Sequence, residues 1–398
     1  MTQLCFFEDE TSTFLQPLTL TRPVDDLRMG ILKIHEKWEY LLNPEVLTRV
    51  LRNELKEIYP NPAPDDSSNC IWINSRYLPD SRLVKIINNL KTGEGLKYED
   101  IPVVIKMSGN KSIDLFKSPD QDVDFISYQV TYHGRLLHQV TDIFTYNGEQ
   151  IISDIELMNL PENHRLNEQD VTLYGSNPVY LQGDSITIEP NTTLNTTEGP
   201  IYIGDNATIL CGSHIRGPVA IGEKTLVKMG AKIYKNTTIG PKCKAGGEIN
   251  NVVFQGNSNK SHDGFLGNSV IGEWCNFGAD SNNSNLKNNY SPVRLIDFKS
   301  HEQYDTGLQF CGTIMGDHCK TAINTNINTG SVFGVCCNIF TNQFPPKLLP
   351  SFTWLTDHNN QTHRLDKAIE TASIVMKRRG VDLSDPYRKL LEYLFDNR

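Results

Sequence analysis

Residues 203–239 read IGDNATILCGSHIRGPVAIGEKTLVKMGAKIYKNTTI, and this stretch decides the fold. Ile203, Ile209, Ile215, Ile221, Val227, Ile233 and Ile239 recur at an unbroken spacing of six. An amphipathic helix needs apolar residues at i, i+3, i+4 and i+7, and a half-buried strand needs alternation, so neither produces this period. A unit of one short strand and its turn does, and three such units close one triangular coil whose aliphatics stack inward. Successive coils then lie about 4.8 Å apart, the usual separation of paired strands. The expected architecture is a left-handed parallel β-helix built from hexapeptide repeats. Met315, Thr321, Ile327, Phe333 and Ile339 resume the same spacing, so the β-helix continues past an interruption.

Working outward, the β-helix is expected over residues 169–345. Asn191, Asn206 and Asn236 form sequons, but in a β-helix they read as turn residues. From 346 to 398 the pattern is helical: a stripe of Leu365, Ile369, Ala372 and Met376 stops at Gly380, and Ser384-Asp385-Pro386 opens a second helix. These helices are expected to cap the β-helix. Before it, residues 1–168 alternate apolar runs (LCFF, CIWI, IPVVI) with helical stretches at 31–58 and 81–91, the pattern of an α/β domain. A short helix from about 151 and a linker reaching 168 close it, with Pro161 as a stop.

The 398 residues suffice for several domains, and 38% hydrophobic with 21% charged content describes a globular chain. A formal charge of −9 argues against nucleic acid as a partner, which needs a basic footprint. The sequence contains no apolar run long enough for a membrane span and no secretory signal pattern at its start, so a cytoplasmic protein is expected. Nine scattered cysteines form no C-x-x-C pair and read as small buried hydrophobes.

Candidate site residues fall in two places. In the first domain Thr21, Arg22 and Arg28 lie in PLTLTRPVDDLRMG, on a loop between a strand and a helix, where α/β sheets bind ligands. Asn74 and Arg76 follow the strand CIWI. Loop-stapling pairs of Arg22 and Arg28 with Asp25 or Asp26, and a surface turn at Asn74 and Arg76, explain these residues equally well. Neither G-x-G-x-x-G nor the P-loop pattern occurs there, and no metal ligands can be assigned. The second place is the polar interruption of the repeat, SNKSHDGFLGNSVIGEWCNFGADSNNSNLKNN, which carries His262 with glycines on either side that allow close approach of a ligand. Its asparagines suit tight turns, whereas a base with a pKa near neutrality suits proton removal from an amine or hydroxyl nucleophile.

The β-helix containing SHDGFLGNSVIGEWCNFGA resembles the acetyltransferase half of the bifunctional GlmU family, and PLTLTRPVDDLRMGILKIHEKWE resembles the variant sugar nucleotidyltransferase domain of GlmU-like bacterial proteins. The resemblance implies two activities: acetyl transfer from acetyl-CoA to an amino sugar 1-phosphate, and nucleotidyl transfer from UTP or another NTP, with Mg²⁺, to a sugar 1-phosphate. The product is a nucleotide sugar of the UDP-N-acetylglucosamine type. It implies His262 as general base, Asn276 and Asn285 as substrate or acetyl-CoA contacts, and Ala279 as a backbone donor to the thioester end. Phe265 stands where the family has a substrate-binding Tyr, and the family's Lys has no counterpart near 248–251, which leaves Lys242, Lys244, Lys260 or Lys287 for the sugar phosphate. A homotrimer is also implied.

Two other readings are an acyltransferase whose first domain binds a nucleotide sugar without turning it over, and a non-enzymatic β-helix scaffold. A zinc hydratase needs closely spaced histidines, which His214, His262, His301 and His318 do not supply.

Overall fold

The computed structural model describes residues 3–59, 61–62, 69–79, 81–98, 100–108, 124–127, 135–161 and 171–398. By contacts it divides into two compact units: residues 1–15, 22–27 and 32–139 form one, and residues 16–21, 28–31 and 140–398 the other.

The first unit is a mixed six-stranded sheet. Gln3–Phe7, buried at every position, runs parallel to Val46–Arg49 on one side and to Asn69–Asn74 on the other. Ile101–Ser108 is antiparallel to Asn69–Asn74 and to Glu94–Tyr98, which pairs in parallel with Asp124–Ser127. The three apolar runs of the sequence are therefore strands. The helix expected over 31–58 is much shorter: α1 spans Ile34–Leu42 and buries Trp38. Asn43 takes a left-handed conformation (φ 43°), its N–H closes on the Glu39 carbonyl, and Pro44 cannot continue the ladder. Residues 46–49 become a strand because the sheet offers a partner there. α2, Ser81–Asn89, falls where expected.

The second unit is a parallel β-solenoid. One ladder stacks Ile203, Ile221, Ile239, Phe254, Ile271, Met315, Phe333 and Leu349 in successive coils. A second carries Ile209, Val227 and Ala245, and a third Ile215, Ile233, Ile249 and Leu266. All seven aliphatics of the opening run are buried in one core cluster. Asn191, Asn206 and Asn236 adopt φ of 62°, 56° and 59°, the left-handed corners that Asn tolerates best after Gly.

Three departures from the sequence reading have physical causes. The β-helix ends later than 345, since Leu348–Leu349 and Thr353–Thr356 pair with Ser331–Phe333 and Asn338–Phe340 and bury Leu349 and Leu355. The compact unit begins earlier than 169, because α3 (Asp142–Thr145) and α4 (Asn147–Met158) belong to it. Buried Asn147 donates to the Asn236 carbonyl (2.9 Å) and Thr238 Oγ1 (3.0 Å) of a coil. Most of the expected linker, residues 162–168, lies outside the described residues. The terminal helices, α5 (Leu365–Lys377) and α6 (Asp385–Asp396), meet the last coil through an edge-on Phe352–Phe395 contact, but they also reach back along the solenoid flank. Arg379 bonds to the Lys242 carbonyl and Asn259 Oδ1, and Tyr387 to His318.

Candidate active site

The coil carrying His262 is irregular. From Val227 to Ala245 a coil takes 18 residues, but from Ile239 to Phe254 it takes 15 and from Phe254 to Ile271 it takes 17. Strands Glu248–Phe254 and Phe265–Ile271 run on where a regular coil would turn, and neighbouring backbones lie close at three glycines. A Cβ on Gly246 would lie 2.5 Å from the Ser261 carbonyl oxygen, one on Gly247 2.7 Å from the Gly264 oxygen, and one on Gly264 2.3 Å from the Ser281 oxygen. The glycines beside His262 thus admit the backbones of adjacent coils. Gly247 and Gly264 also need positive φ (72° and 108°), which glycine adopts without strain.

On this clamped loop, Ser261 to Gly264, the His262 imidazole is exposed and accepts or donates no hydrogen bond among the described residues. It lines a cavity of about 460 Å³ with Lys228, Ser261, Asp263, Ala279 and Asp280. Ala279, on the next coil, takes the Asn324 N–H on its carbonyl (2.8 Å), while its own N–H has no partner among the described residues. His262 and Ala279, which the sequence pairs only through resemblance, therefore face one space. Ser261 also lines a second cavity, of about 540 Å³, with Lys244, Asn276, Lys320, Arg378 and Arg379. Asn276 accepts a hydrogen bond from Asn259 (3.3 Å) there. Lys320 and Arg379 are held by backbone and Asn259 oxygens, whereas the side chains of Lys244 and Arg378 carry no hydrogen bond among the described residues.

The remaining β-helix candidates separate. Asn285 donates to Asn268 Oδ1 (2.7 Å), and both its amide and the Phe265 ring crowd Gly267, so these two share a neighbourhood. Lys287 is turned to the Pro292 carbonyl (2.5 Å) and Ser291. Lys260 is not available to a sugar phosphate: it is 2% exposed, and its ammonium donates to the carbonyls of His262 (2.6 Å), Asp263 (3.0 Å) and Gly246 (3.3 Å). Three donors meet three acceptors, leaving none for a ligand.

In the N-terminal region most of the predicted ligands are occupied by protein partners. Thr21 donates to Asp317 Oδ2 (2.7 Å), and Arg28 bonds to Gln255 and the Ile31 carbonyl, all inside the solenoid unit. Arg76 clasps Asp9 through Nε and Nη2 and reaches the Leu137 carbonyl, while Asn74 donates to Asp9 and Pro102. These are loop staples. Arg22 is buried close to Asp26. Asp25 and Asp26, expected as loop-staple partners of Arg22 or Arg28, also take cations that the sequence reading did not name. Asp26 takes Lys33 (2.7 Å) and His35 (3.5 Å), and Asp25 takes Arg49 (2.6 Å). Although burial opposes its charge, hydrogen bonds to Asp26 and Glu39 raise the His35 pKa to about 9. Among the described residues no group of three or more His, Cys, Asp or Glu is placed to hold a metal.

A sugar nucleotidyl transferase family matches residues 4–162. The N-terminal region is thus similar to sugar nucleotidyl transferase domains. Over 103 residues the chain is 31% identical to the bifunctional protein GlmU of Methanocaldococcus jannaschii, covering 26% of this chain and 24% of that protein. The GlmU of Methanococcus aeolicus is 30% identical over 100 residues, 25% of this chain and 23% of its own length. A bifunctional sugar-1-phosphate nucleotidylyltransferase/acetyltransferase of Sulfurisphaera tokodaii is 29% identical over 225 residues, 50% of this chain and 55% of that one. The chain thus spans between a quarter and about half the length of these relatives. All three are archaeal, whereas the sequence resemblance was to a bacterial branch. The matched stretch runs past the contact boundary at 139/140 and includes α3 and α4, which lie in the solenoid unit.

Proposed function

We propose that this chain is a GlmU-type transferase: its β-helix passes the acetyl group of acetyl-CoA to an amino sugar 1-phosphate, and its nucleotidyl transferase domain joins UTP or another NTP to a sugar 1-phosphate. The product is a UDP-N-acetylglucosamine-like nucleotide sugar. The observation that carries the first activity is the shared cavity of His262 and the unpartnered Ala279 N–H, adjoining at Ser261 a space lined by four cations.

In this reading neutral His262 takes a proton from the acceptor amine as its nitrogen attacks the thioester carbon. The Ala279 N–H stabilises the negative charge that develops on the thioester oxygen, the thiolate of CoA leaves, and no covalent enzyme intermediate forms. Lys244 and Arg378 offer their charge to the phosphates of CoA, and Asp263 and Asp280 favour a cationic amine before it is deprotonated. The second activity rests on the family match and not on Thr21, Arg28, Asn74 or Arg76, whose side chains have protein partners. No step is assigned to Mg²⁺, since the described residues form no metal cluster. We infer a homotrimer in the cytoplasm, with small-molecule substrates and no nucleic-acid partner.

The test is to incubate the protein with acetyl-CoA, UTP, Mg²⁺ and a panel of sugar phosphates and to follow masses. An acetylated amino sugar phosphate and a nucleotide sugar are expected. Acetylation without any nucleotide sugar would leave the acyltransferase reading, and neither product would leave a scaffold.

A further inference from the structure

The hexapeptide column should be aliphatic throughout, yet its member after Ala245 is Lys260. A Lys side chain with 2% exposure is unusual, because an ammonium loses its hydration on burial and repays it only when its donors are filled. Here they are filled by main-chain carbonyls of two neighbouring coils: Gly246 below, and His262 and Asp263 on the loop itself. Any apolar residue would fill the column at lower cost, so stability alone does not explain the lysine. The two shorter contacts fix the carbonyl of the proposed general base and that of its neighbour, within a loop already wedged between Gly246–Gly247 and Ser281. From the other end, Asn282 Oδ1 takes the Phe265 N–H at 2.8 Å.

Resting on the acetyl-transfer reading of His262, we propose that Lys260 is a positioning residue: its buried ammonium bonds the His262 and Asp263 carbonyls and so holds the imidazole at its place in the cavity. It touches neither substrate nor cofactor. Burial lowers the Lys260 pKa to about 8, as expected for an ammonium with its charge in the core, and Asp263 and Asp280 oppose that shift. Even so, below that pH the side chain is an ammonium with three donors.

The test compares wild type, Lys260→Met, Lys260→Gln, His262→Ala and, as control, Lys232→Met on an outward strand position. Lys260→Met is expected to keep the circular dichroism of the wild type and its KM for acetyl-CoA while kcat falls about 10- to 100-fold, the scale of a misplaced catalytic group. Backbone amides of residues 261–264 should exchange faster in that variant. Lys260→Gln, with one amide donor pair, should recover part of the lost kcat, and it is the variant to read if Lys260→Met does not fold. Unchanged kcat in the folded variant, alongside an inactive His262→Ala, overturns the role of Lys260 alone. If His262→Ala acetylates like wild type, the site reading itself fails, and unchanged amide exchange in Lys260→Met would then remove the loop-holding role too.

Discussion

Coils 203–239 and coils 245–327 share one solenoid but solve different problems. In the first, every column position is aliphatic, every coil takes 18 residues and the outward residues vary freely. In the second, coils shorten to 15 and 17 residues, an antiparallel hairpin of Arg294–Ile296 and Gln303–Asp305 leaves the stack, and Lys260, Asn283 and Thr321 occupy positions that are aliphatic elsewhere. Each of these polar groups is satisfied. Asn283 accepts the Gly267 N–H (2.8 Å) and donates to the Gly267 carbonyl, Ser269 and Thr313. Thr321 accepts from the Gly278 N–H (3.0 Å). The lesson is that a repeat can depart from its period where side chains supply the hydrogen bonds that a regular ladder would have made, and that the candidate chemistry sits on that departure.

Four measurements break or sharpen this contrast. The largest effect is expected in the regular coils: Ile221→Asp buries an unpaired carboxylate, costing several kcal/mol against a total stability of roughly 5–15, and should abolish the cooperative thermal transition of the solenoid. A folded Ile221→Asp would mean that the regular column is not the core. Next comes His262→Ala in the irregular coils, where kcat for acetyl transfer should drop about 10²–10⁴-fold while melting temperature and nucleotidyl transfer stay unchanged. Wild-type turnover would show that the departure from period serves something other than proton transfer.

A smaller loss is expected at Asn283→Ala, which strands buried backbone groups of Gly267 at about 1–3 kcal/mol for each unsatisfied group, read by urea denaturation. Its counterpart in the regular coils, Ile221→Val, should cost only about 0.5–1.5 kcal/mol. Equal costs would erase the distinction between polar and apolar coils. The smallest effect is a pH slope. Because the folded state holds the Lys260 pKa at about 8, well below its unfolded value, the charged form is disfavoured by folding. Between about pH 8 and the unfolded pKa near 10.4 the unfolded chain binds more protons, so wild-type stability should rise with pH relative to Lys260→Met. A flat difference in melting temperature over that range would mean that the ammonium is not desolvated.

Much of the solenoid was legible because its signal is a period, and a period of six survives any choice of outward residue. The Ile column, the left-handed Asn corners, the second run from Met315 and the Ser384 cap of α6 all follow from local pattern. His262 was legible as a candidate base in a polar interruption, and its pairing with Ala279 came from resemblance; coil stacking puts the two around one cavity. The cations of the adjoining cavity were half visible: Lys377-Arg378-Arg379 stand at the end of a helical stripe, but a basic run there also complements the helix dipole.

Sequence alone determined which residues repeat and hence that a β-helix forms, since apolar periodicity acts over a few residues and needs no knowledge of distant partners. Tertiary structure decided the fate of each polar side chain, because that depends on which carbonyl or carboxylate lies within about 3 Å. Thr21 and Arg28 meet Asp317 and Gln255, far along the chain. Arg76 meets Asp9, and Lys260, which reads as a phosphate ligand in the sequence, instead holds backbone carbonyls beneath His262.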